Sequence, residues 1–267
     1  MNLLFTGTGA ADYETVFKCS CANCTAIRTR GARNLRHYAS LLINDSILLD
    51  CGPTVPWRLA ELEALPAHVE ALVLTHSHED HLDVPAVEAL VRARGDGLLP
   101  VYGNAACMAK LERVAGLALH RVTPLEPVKV KGLTLIPVAA NHIIEEEETL
   151  NWVIEEQGRT MLYATDTGWP LPQTWDALQE HRFDGIVAEA TFGMLRPEDH
   201  PGYMTYHMNW PGFLRLRDEM ISTGMIAHET PFIATHLSQH HIAPHDDFAR
   251  NAEHPVRIAY DGLTLNL

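Results

Sequence analysis

The run Thr75-His76-Ser77-His78-Glu79-Asp80-His81 follows directly on an apolar stretch, Val69 to Leu74. From its first histidine it places three imidazoles and two carboxylates in six positions, at the end of a predicted buried strand. Imidazole and carboxylate groups together are typical ligands of Zn²⁺, Mn²⁺ or Fe²⁺. The first two histidines point the same way in an extended segment, whereas the aspartate and last histidine follow where the chain should turn. The run therefore predicts ligands for two metal ions about 3.5–4 Å apart.

Three later apolar runs each deliver one more metal-capable side chain. These are His142 after residues 133–140, Asp166 after 160–165 and His236 after 232–235. Because the ends of neighbouring strands meet at one edge of an α/β fold, we expect these side chains to collect there. Asp166 is the natural bridging ligand, since its negative charge lets two divalent cations sit close together. The run 76–81 and these three strand ends together predict a dinuclear metal site.

Strand and helix patterns organise the rest of the chain. The strands 41–43 and 47–49 flank Asn44-Asp45, which predicts a hairpin because Asn and Asp tolerate positive φ. Residues 56–65 have helical spacing. Runs of strands followed by helices occur twice, which suggests an α/β protein with two stacked sheets and helices outside. No linker interrupts the sequence, so residues 1–267 are expected to form a single domain.

Composition limits the classes of function. With 267 residues, of which 46% are hydrophobic, the chain can bury a substantial core. The net charge of -14 works against a nucleic-acid surface, which needs clustered positive potential. No basic-then-apolar leader is visible, and no apolar run approaches the length that spans a membrane. We therefore expect a soluble, cytoplasmic protein that binds neither nucleic acid nor membranes.

Three of the five cysteines are clustered as Cys19-x-Cys21-x2-Cys24. An odd cysteine count with this spacing argues for a reducing compartment and a metal site rather than for disulfides. Residues 12–34 are accordingly predicted to form a zinc loop with a short helix. Tetrahedral zinc needs a fourth ligand in addition to the three thiolates.

The combined pattern resembles the metallo-β-lactamase superfamily. An H-x-H-x-D-H motif after a strand, followed by separate His, Asp and His residues at strand ends, is typical of that superfamily. Thr6-Gly7-Thr8-Gly9 and the segment 48–52 are similar to its early landmarks. The cysteine insertion and a late His207 more narrowly resemble the PhnP-like cyclic phosphodiesterases of bacterial phosphonate breakdown. The resemblance runs nearly end to end and implies a four-layer αββα sandwich.

The resemblance also implies a role for each ligand. One metal ion is assigned to His76, His78 and His142, the other to Asp80, His81 and His236, and Asp166 is assigned to both. The ions are expected to be Mn²⁺ or Zn²⁺. A water shared between them would lose a proton near neutral pH and attack a phosphodiester. Glu79 belongs to no ligand position and is expected to face solvent or to support a ligand.

The leaving oxygen of such a reaction needs a proton. The resemblance assigns this task to His207, whose ordinary pKa lies near the working pH. His200 is the competing candidate. Asp80 is a second catalytic candidate, because it can relay protons if its metal holds it loosely.

The fourth ligand of the cysteine site is expected shortly after His236. The family pattern would place a histidine where this chain has Gln239, so the sequence departs from the pattern by one position. His240 is the first choice and His241 the alternative. The expected role of this Zn²⁺ is structural, because it would join the N-terminal loop to a distant strand.

These features predict a dinuclear metal-dependent hydrolase that acts on a small cyclic phosphodiester, with 5-phosphoribosyl 1,2-cyclic phosphate as the best single candidate. Lactone or β-lactam hydrolysis on the same site, and a non-hydrolytic cofactor-biosynthesis or metal-carrier role, remain alternatives. RNA cleavage is disfavoured by the charge. The expected partner is a small phosphorylated substrate, and a homodimer is compatible with the sequence.

Two charged segments allow opposite readings. A cluster of Lys and Arg residues between 18 and 36 forms either a solvated helix face or an electropositive rim for a phosphorylated ligand. The acidic run 145–148 would repel an anion if it faced the site.

Overall fold

The computed structural model describes residues 1–95, 97–142, 147–199 and 204–267. The strands in these ranges are β1 (Asn2–Gly7), β2 (Ser40–Ile43), β3 (Ile47–Leu49), β4 (Ala71–Val73), β5 (Leu99–Gly103), β6 (Leu117–Arg121), β7 (Val128–Val130), β8 (Leu133–Ala139), β9 (Leu150–Glu156), β10 (Arg159–Ala164), β11 (Gly185–Glu189), β12 (Phe232–Thr235), β13 (Val256–Ile258) and β14 (Thr264–Asn266). The α-helices are α1 (Thr15–Lys18), α2 (Ala22–Arg30), α3 (Val55–Glu61), α4 (Val84–Arg94), α5 (Ala105–Leu111), α6 (Pro172–Gln179), α7 (Trp210–Ser222) and α8 (His245–Phe248).

The strands form two seven-stranded sheets. Their spatial orders are β14-β1-β2-β3-β4-β5-β6 and β13-β12-β11-β10-β9-β8-β7. Strands β3 to β6 run parallel in the first sheet, and β10 to β13 run parallel in the second. The carboxyl ends of each parallel set therefore lie along one edge, where binding sites of α/β proteins form.

Three buried clusters define four layers. Phe5 and Trp152 belong to the cluster between the two sheets, to which both sheets contribute. Leu59 and Leu90 pack α3 and α4 on the outer face of the first sheet. Phe213 packs α7 on the outer face of the second sheet. Each sheet thus buries both faces, and the predicted αββα sandwich is confirmed.

The predicted hairpin is confirmed, while the helix that follows it is shorter than predicted. β2 and β3 pair antiparallel around Asn44 and Asp45, whose φ values of 49° and 57° suit a tight hairpin turn. Helix α3 ends at Glu61 rather than at residue 65. Glu63 takes a φ of 57°, which an L-residue cannot adopt inside a right-handed helix.

The cysteine segment contains two short helices. Cys21 caps α2, because its sulfur accepts the backbone N–H of Cys24 at 3.4 Å. The Asn23 amide donates to the carbonyl oxygen of Ile242 at 2.7 Å and so ties this segment to the chain after β12. Among the described helices, none combines the length and apolar character needed to cross a bilayer.

Candidate metal centre

The predicted dinuclear ligands converge at the edge where the parallel strands end. The first sheet contributes the run after β4, while the second contributes His142 after β8, Asp166 after β10 and His236 after β12. Asp166 and His236 take φ values of 44° and 50° one or two positions after their strands end. This left-handed conformation turns the chain sharply at both ligands. In a non-glycine residue this conformation costs about 1–2 kcal/mol of backbone strain.

One group of ligand atoms consists of three imidazoles. Nε2 of His76 lies 3.0 Å from Nδ1 of His78, which in turn lies 3.3 Å from Nε2 of His142. One nitrogen of each ring lies within 4.8 Å of the others. Burial lowers the pKa of both His76 and His142, which favours the neutral rings that can offer a lone pair.

The second group adjoins the first and contains two carboxylates. Nε2 of His81 lies 3.2 Å from Nε2 of His236 and 3.3 Å from Oδ2 of Asp80. Oδ2 of Asp166 contacts Nε2 of His81 and lies 3.3 Å from Nε2 of His236. The same oxygen is 3.6 Å from Nε2 of His76, which belongs to the first group. Asp166 therefore faces both groups.

Asp166 supplies the test of whether metal ions fit here. Its Oδ2 atom is buried and, despite its close contact with His81, makes no hydrogen bond of normal geometry within the described ranges. Burial opposes ionisation, yet the imidazoles of His236 and His81 hold the pKa of Asp166 well below its usual range. An ionised, unsatisfied oxygen surrounded by imidazole nitrogens is costly without a cation and suitable with one. The residues present therefore fit a pair of divalent metal ions.

Buried polar groups orient the ligands of the first sheet from behind. Oδ2 of Asp50 lies 2.8 Å from Nδ1 of His81. The Thr75 hydroxyl donates to Asp50 and accepts from Nδ1 of His76 at 3.0 Å. These contacts fix the ring orientations and leave Nε2 of both rings for metal, as in characterised metal sites.

The ligands of the second sheet are supported in the same way. Nδ1 of His142 donates to the carbonyl oxygen of Tyr206 at 3.0 Å. Nδ1 of His236 donates to the Thr191 hydroxyl at 2.9 Å. In both rings Nε2 is again the nitrogen available to a metal ion.

His207 lies beside the dinuclear ligands and is held by a residue that the sequence analysis did not single out. Its Nδ1 donates to Oε1 of Glu189 at 2.8 Å, and its ring stacks on His236 at 5.6 Å. Glu189, fully buried at the end of β11, also accepts the backbone N–H of Thr167 at 2.6 Å and of Met208 at 3.1 Å. Its position at the end of an apolar strand was the same signal that revealed the metal ligands.

The surroundings of His207 favour its protonated form. Burial lowers the pKa of this imidazole, but the carboxylates of Glu189 and Asp166 outweigh that effect and raise it to about 9. Because Glu189 occupies Nδ1, Nε2 is the atom free to carry a proton to a ligand. His200, the competing candidate, lies outside the described residues.

The ligands open onto a cavity of about 520 Å³. Its walls include Ala10, Phe192, Tyr206 and His241, and no Lys or Arg is among the described residues that line it. Of the two readings of the basic cluster, the electropositive rim therefore finds no support among these described lining residues, and arginines of the cluster have structural partners instead. Arg36, for example, is buried and donates to the carbonyl oxygen of Ala259 at 2.6 Å.

The acidic run is only partly described. Glu145 and Glu146 lie outside the described residues. Glu147 accepts hydrogen bonds from Ser77 and is half-buried, while Glu148 is exposed. Glu79, which was expected to face solvent or to support a ligand, is exposed.

The cysteine cluster forms a second candidate metal site. The sulfurs of Cys19, Cys21 and Cys24 and one ring nitrogen of His240 all lie within 4.8 Å of one another. Nδ1 of His240 is 3.3 Å from the Cys24 sulfur. His241 is exposed and lies outside this group, with its ring edge-on to that of His240 at a centroid distance of 5.0 Å. Three thiols and one imidazole are a ligand set of structural zinc.

We expect a Cys24→Ser variant to lose the zinc of this site. Zinc content should fall by one ion per chain, and Tm should fall by about 4–8 °C, which corresponds to about 2 kcal/mol in a chain of this size. Elemental analysis and calorimetry measure the two effects. Cys107→Ala, at a buried cysteine outside the cluster, is the matched control and should keep its zinc. Unchanged zinc content in Cys24→Ser would contradict the assignment.

Known proteins share this fold and motif. The profile of the Beta-lactamase superfamily domain matches residues 45–237. Ribonuclease Z of Pyrobaculum calidifontis is 26% identical over 193 residues, which cover 58% of this chain and 66% of that protein. The chain thus spans slightly less than two thirds of that relative's length.

Two solved structures extend the similarity over the whole chain. A diphosphatase of the PhnP family superposes with a TM-score of 0.77 and 22% identity, covering 99% of this chain and 96% of that one. Zn²⁺-bound PqqB from Methylobacterium extorquens superposes with a TM-score of 0.78 and 15% identity over all of both chains. These identities establish the fold alone. Together with the family profile, which matches most of the sequence, they show that the chain belongs to the metallo-β-lactamase superfamily, as a member with the ligand set of a metal-dependent hydrolase.

Proposed function

We propose that this protein is a metal-dependent phosphodiesterase that hydrolyses a small cyclic phosphodiester, with 5-phosphoribosyl 1,2-cyclic phosphate as the specific candidate. The observation that carries the proposal is the Glu189–His207 pair beside a complete set of seven metal ligands. A phosphodiester needs both parts, because its leaving oxygen departs as a poor anion unless it is protonated.

The seven ligands would hold the two ions that the sequence predicts. His76, His78 and His142 would hold one ion, and Asp80, His81 and His236 the other, with Asp166 shared. When bound, divalent cations supply an activated water and offset the charge that develops on the phosphate oxygens. Mn²⁺ and Zn²⁺ are both compatible with imidazole and carboxylate ligands.

His207 would serve as the proton donor. Its contact with Glu189 orients the ring and favours the imidazolium form, as the pKa of about 9 indicates. When the phosphorus–oxygen bond breaks, Nε2 delivers its proton to the leaving oxygen, so that the product is a free hydroxyl. The oxygen that remains on phosphorus comes from water.

The size of the site and the net charge of the protein support a small substrate. A cavity of about 520 Å³ suits a ligand the size of a sugar phosphate. The relative named ribonuclease Z makes RNA cleavage the competing phosphodiesterase activity, but a net charge of -14 disfavours a long polyanion. The acidic run would repel an anionic substrate if it faced the site. Its residue Glu147 is hydrogen-bonded to Ser77, which is compatible with the proposal.

The proposal is tested by assaying chelator-treated protein that has been reloaded with Mn²⁺ or Zn²⁺. We expect turnover of bis(4-nitrophenyl) phosphate and of ribosyl cyclic phosphates, and at least about a hundredfold less in His76→Ala, since a lost metal ligand removes several kcal/mol of transition-state stabilisation. Turnover no higher than that of His76→Ala would overturn the proposal. Cleavage of RNA in preference to cyclic phosphates would favour the ribonuclease activity instead.

Two alternatives keep the fold but change the chemistry. Hydrolysis of a lactone or β-lactam would use the same dinuclear ligands without needing His207. A non-hydrolytic cofactor-biosynthesis or metal-carrier protein would need only the cysteine site. Elemental analysis separates the last case, since three ions per chain fit the proposed enzyme and one ion fits the cysteine site alone.

A further inference from the structure

Ser77, the residue between His76 and His78, is held at each of its polar groups by side chains that are not metal ligands. Oε1 of Glu147 accepts its backbone N–H at 2.8 Å, and Oε2 accepts its hydroxyl at 2.5 Å. The Lys110 ammonium donates to its carbonyl oxygen at 2.8 Å.

Glu147 and Lys110, the two side chains that bind Ser77, are themselves held by further hydrogen bonds. The Asn104 amide donates to Oε1 of Glu147 at 2.7 Å. Asn104 in turn caps α5, because its Oδ1 accepts the backbone N–H of Cys107 at 2.9 Å. Lys110, on the same helix, also donates to the carbonyl oxygen of Leu82 at 2.9 Å. Helix α5 therefore supports the backbone between two metal ligands, through its N-cap Asn104 and through Lys110 in its last turn.

This support is separate from that of Asp50. Asp50 contacts Thr75 and His81, at the two ends of the metal-binding run. Glu147 instead binds the run at Ser77, between His76 and His78. Glu147 and Lys110 therefore hold the same residue at different polar groups, Glu147 at the N–H and hydroxyl and Lys110 at the carbonyl oxygen.

We propose that Glu147 is a positioning residue that fixes His76 and His78 for the metal ion they share with His142. The inference rests on the dinuclear centre of the proposed function. Two ligands only two positions apart can bind one ion only if the backbone between them keeps a single conformation. Removal of side chains that orient metal ligands typically weakens metal binding by about 10–100-fold.

The proposal is tested by titrating metal-free protein with Co²⁺ and following its visible absorption. In Glu147→Ala we expect one of the two dinuclear ions to bind about 10–100-fold more weakly, while the other keeps its affinity. The cysteine site is followed separately by its thiolate-to-cobalt absorption. Glu148→Ala, which removes the neighbouring exposed carboxylate, is the matched control and should bind like the wild type.

A second variant guards against a general loss of folding. Glu147→Gln keeps an oxygen that can accept the Ser77 N–H, and we expect it to recover much of the affinity lost in Glu147→Ala. Equal affinities in Glu147→Ala and wild type, or equal weakening of both ions, would overturn the positioning role. If the wild type itself binds no pair of ions, the proposed function fails instead.

Discussion

An Asp166→Asn variant is expected to lose at least about a hundredfold in kcat on any phosphodiester substrate, because a metal centre contributes several kcal/mol of charge stabilisation. Asp166 is the one ligand whose oxygen faces both imidazole groups, at 3.3 Å from His236 and 3.6 Å from His76. The asparagine amide has nearly the same shape but no charge, so two nearby cations would repel each other without compensation. Steady-state kinetics and metal content measure the effect together.

The matched control is Asp176→Asn, the same change at an exposed position on α6. It should leave both turnover and metal content at the wild-type level. Calorimetry of metal-free Asp166→Asn establishes that the variant folds. A folded variant that keeps two dinuclear ions and full activity would exclude Asp166 as the shared ligand.

A His207→Ala variant is expected to reveal its role through the leaving group. With ribosyl cyclic phosphates, whose leaving oxygen is an alkoxide, kcat should fall by about 10²–10⁴-fold, the range typical of a lost general acid. With bis(4-nitrophenyl) phosphate the loss should be far smaller, because 4-nitrophenolate departs without protonation. The ratio of the two losses therefore separates proton donation from a general disturbance of the site.

His228→Ala and His200→Ala complete this comparison. His228 precedes β12, whereas the ligand His236 follows it. Because His228 is also exposed, its loss should change the turnover of neither substrate. A leaving-group-dependent loss in His200→Ala, with none in His207→Ala, would transfer the role to His200. Full activity of His207→Ala on lactones or β-lactams, without phosphodiester turnover, would favour the alternative hydrolase.

The residues that local sequence patterns could reveal were those at the ends of strands. His142, Asp166 and His236 each follow an apolar run, and parallel strands of one sheet bring such ends to a common edge. The hairpin at Asn44 was equally predictable, because the turn depends only on the residues that form it. The sandwich architecture followed from the repeated order of strands and helices.

The partners of those residues depend on contacts between distant segments. Glu147 is 70 residues from Ser77, and no local pattern links them. Glu189 carried the strand-end signal, but its role depends on backbone N–H groups that only the folded loops bring near. Likewise, whether His240 or His241 completes the cysteine site depends on the path of one loop. That path places His240 beside the cysteines.

The two metal sites differ in how early each can assemble. In the cysteine cluster, three thiols lie within six positions, so a nascent chain can hold zinc there before its last ligand, His240, arrives from 216 residues away. The dinuclear ligands come from both sheets, and these must pack face to face before a pair of ions can bind. Zinc bound at the cysteines would thus guide the late return of the chain, whereas occupation of the dinuclear centre would mark the completion of folding.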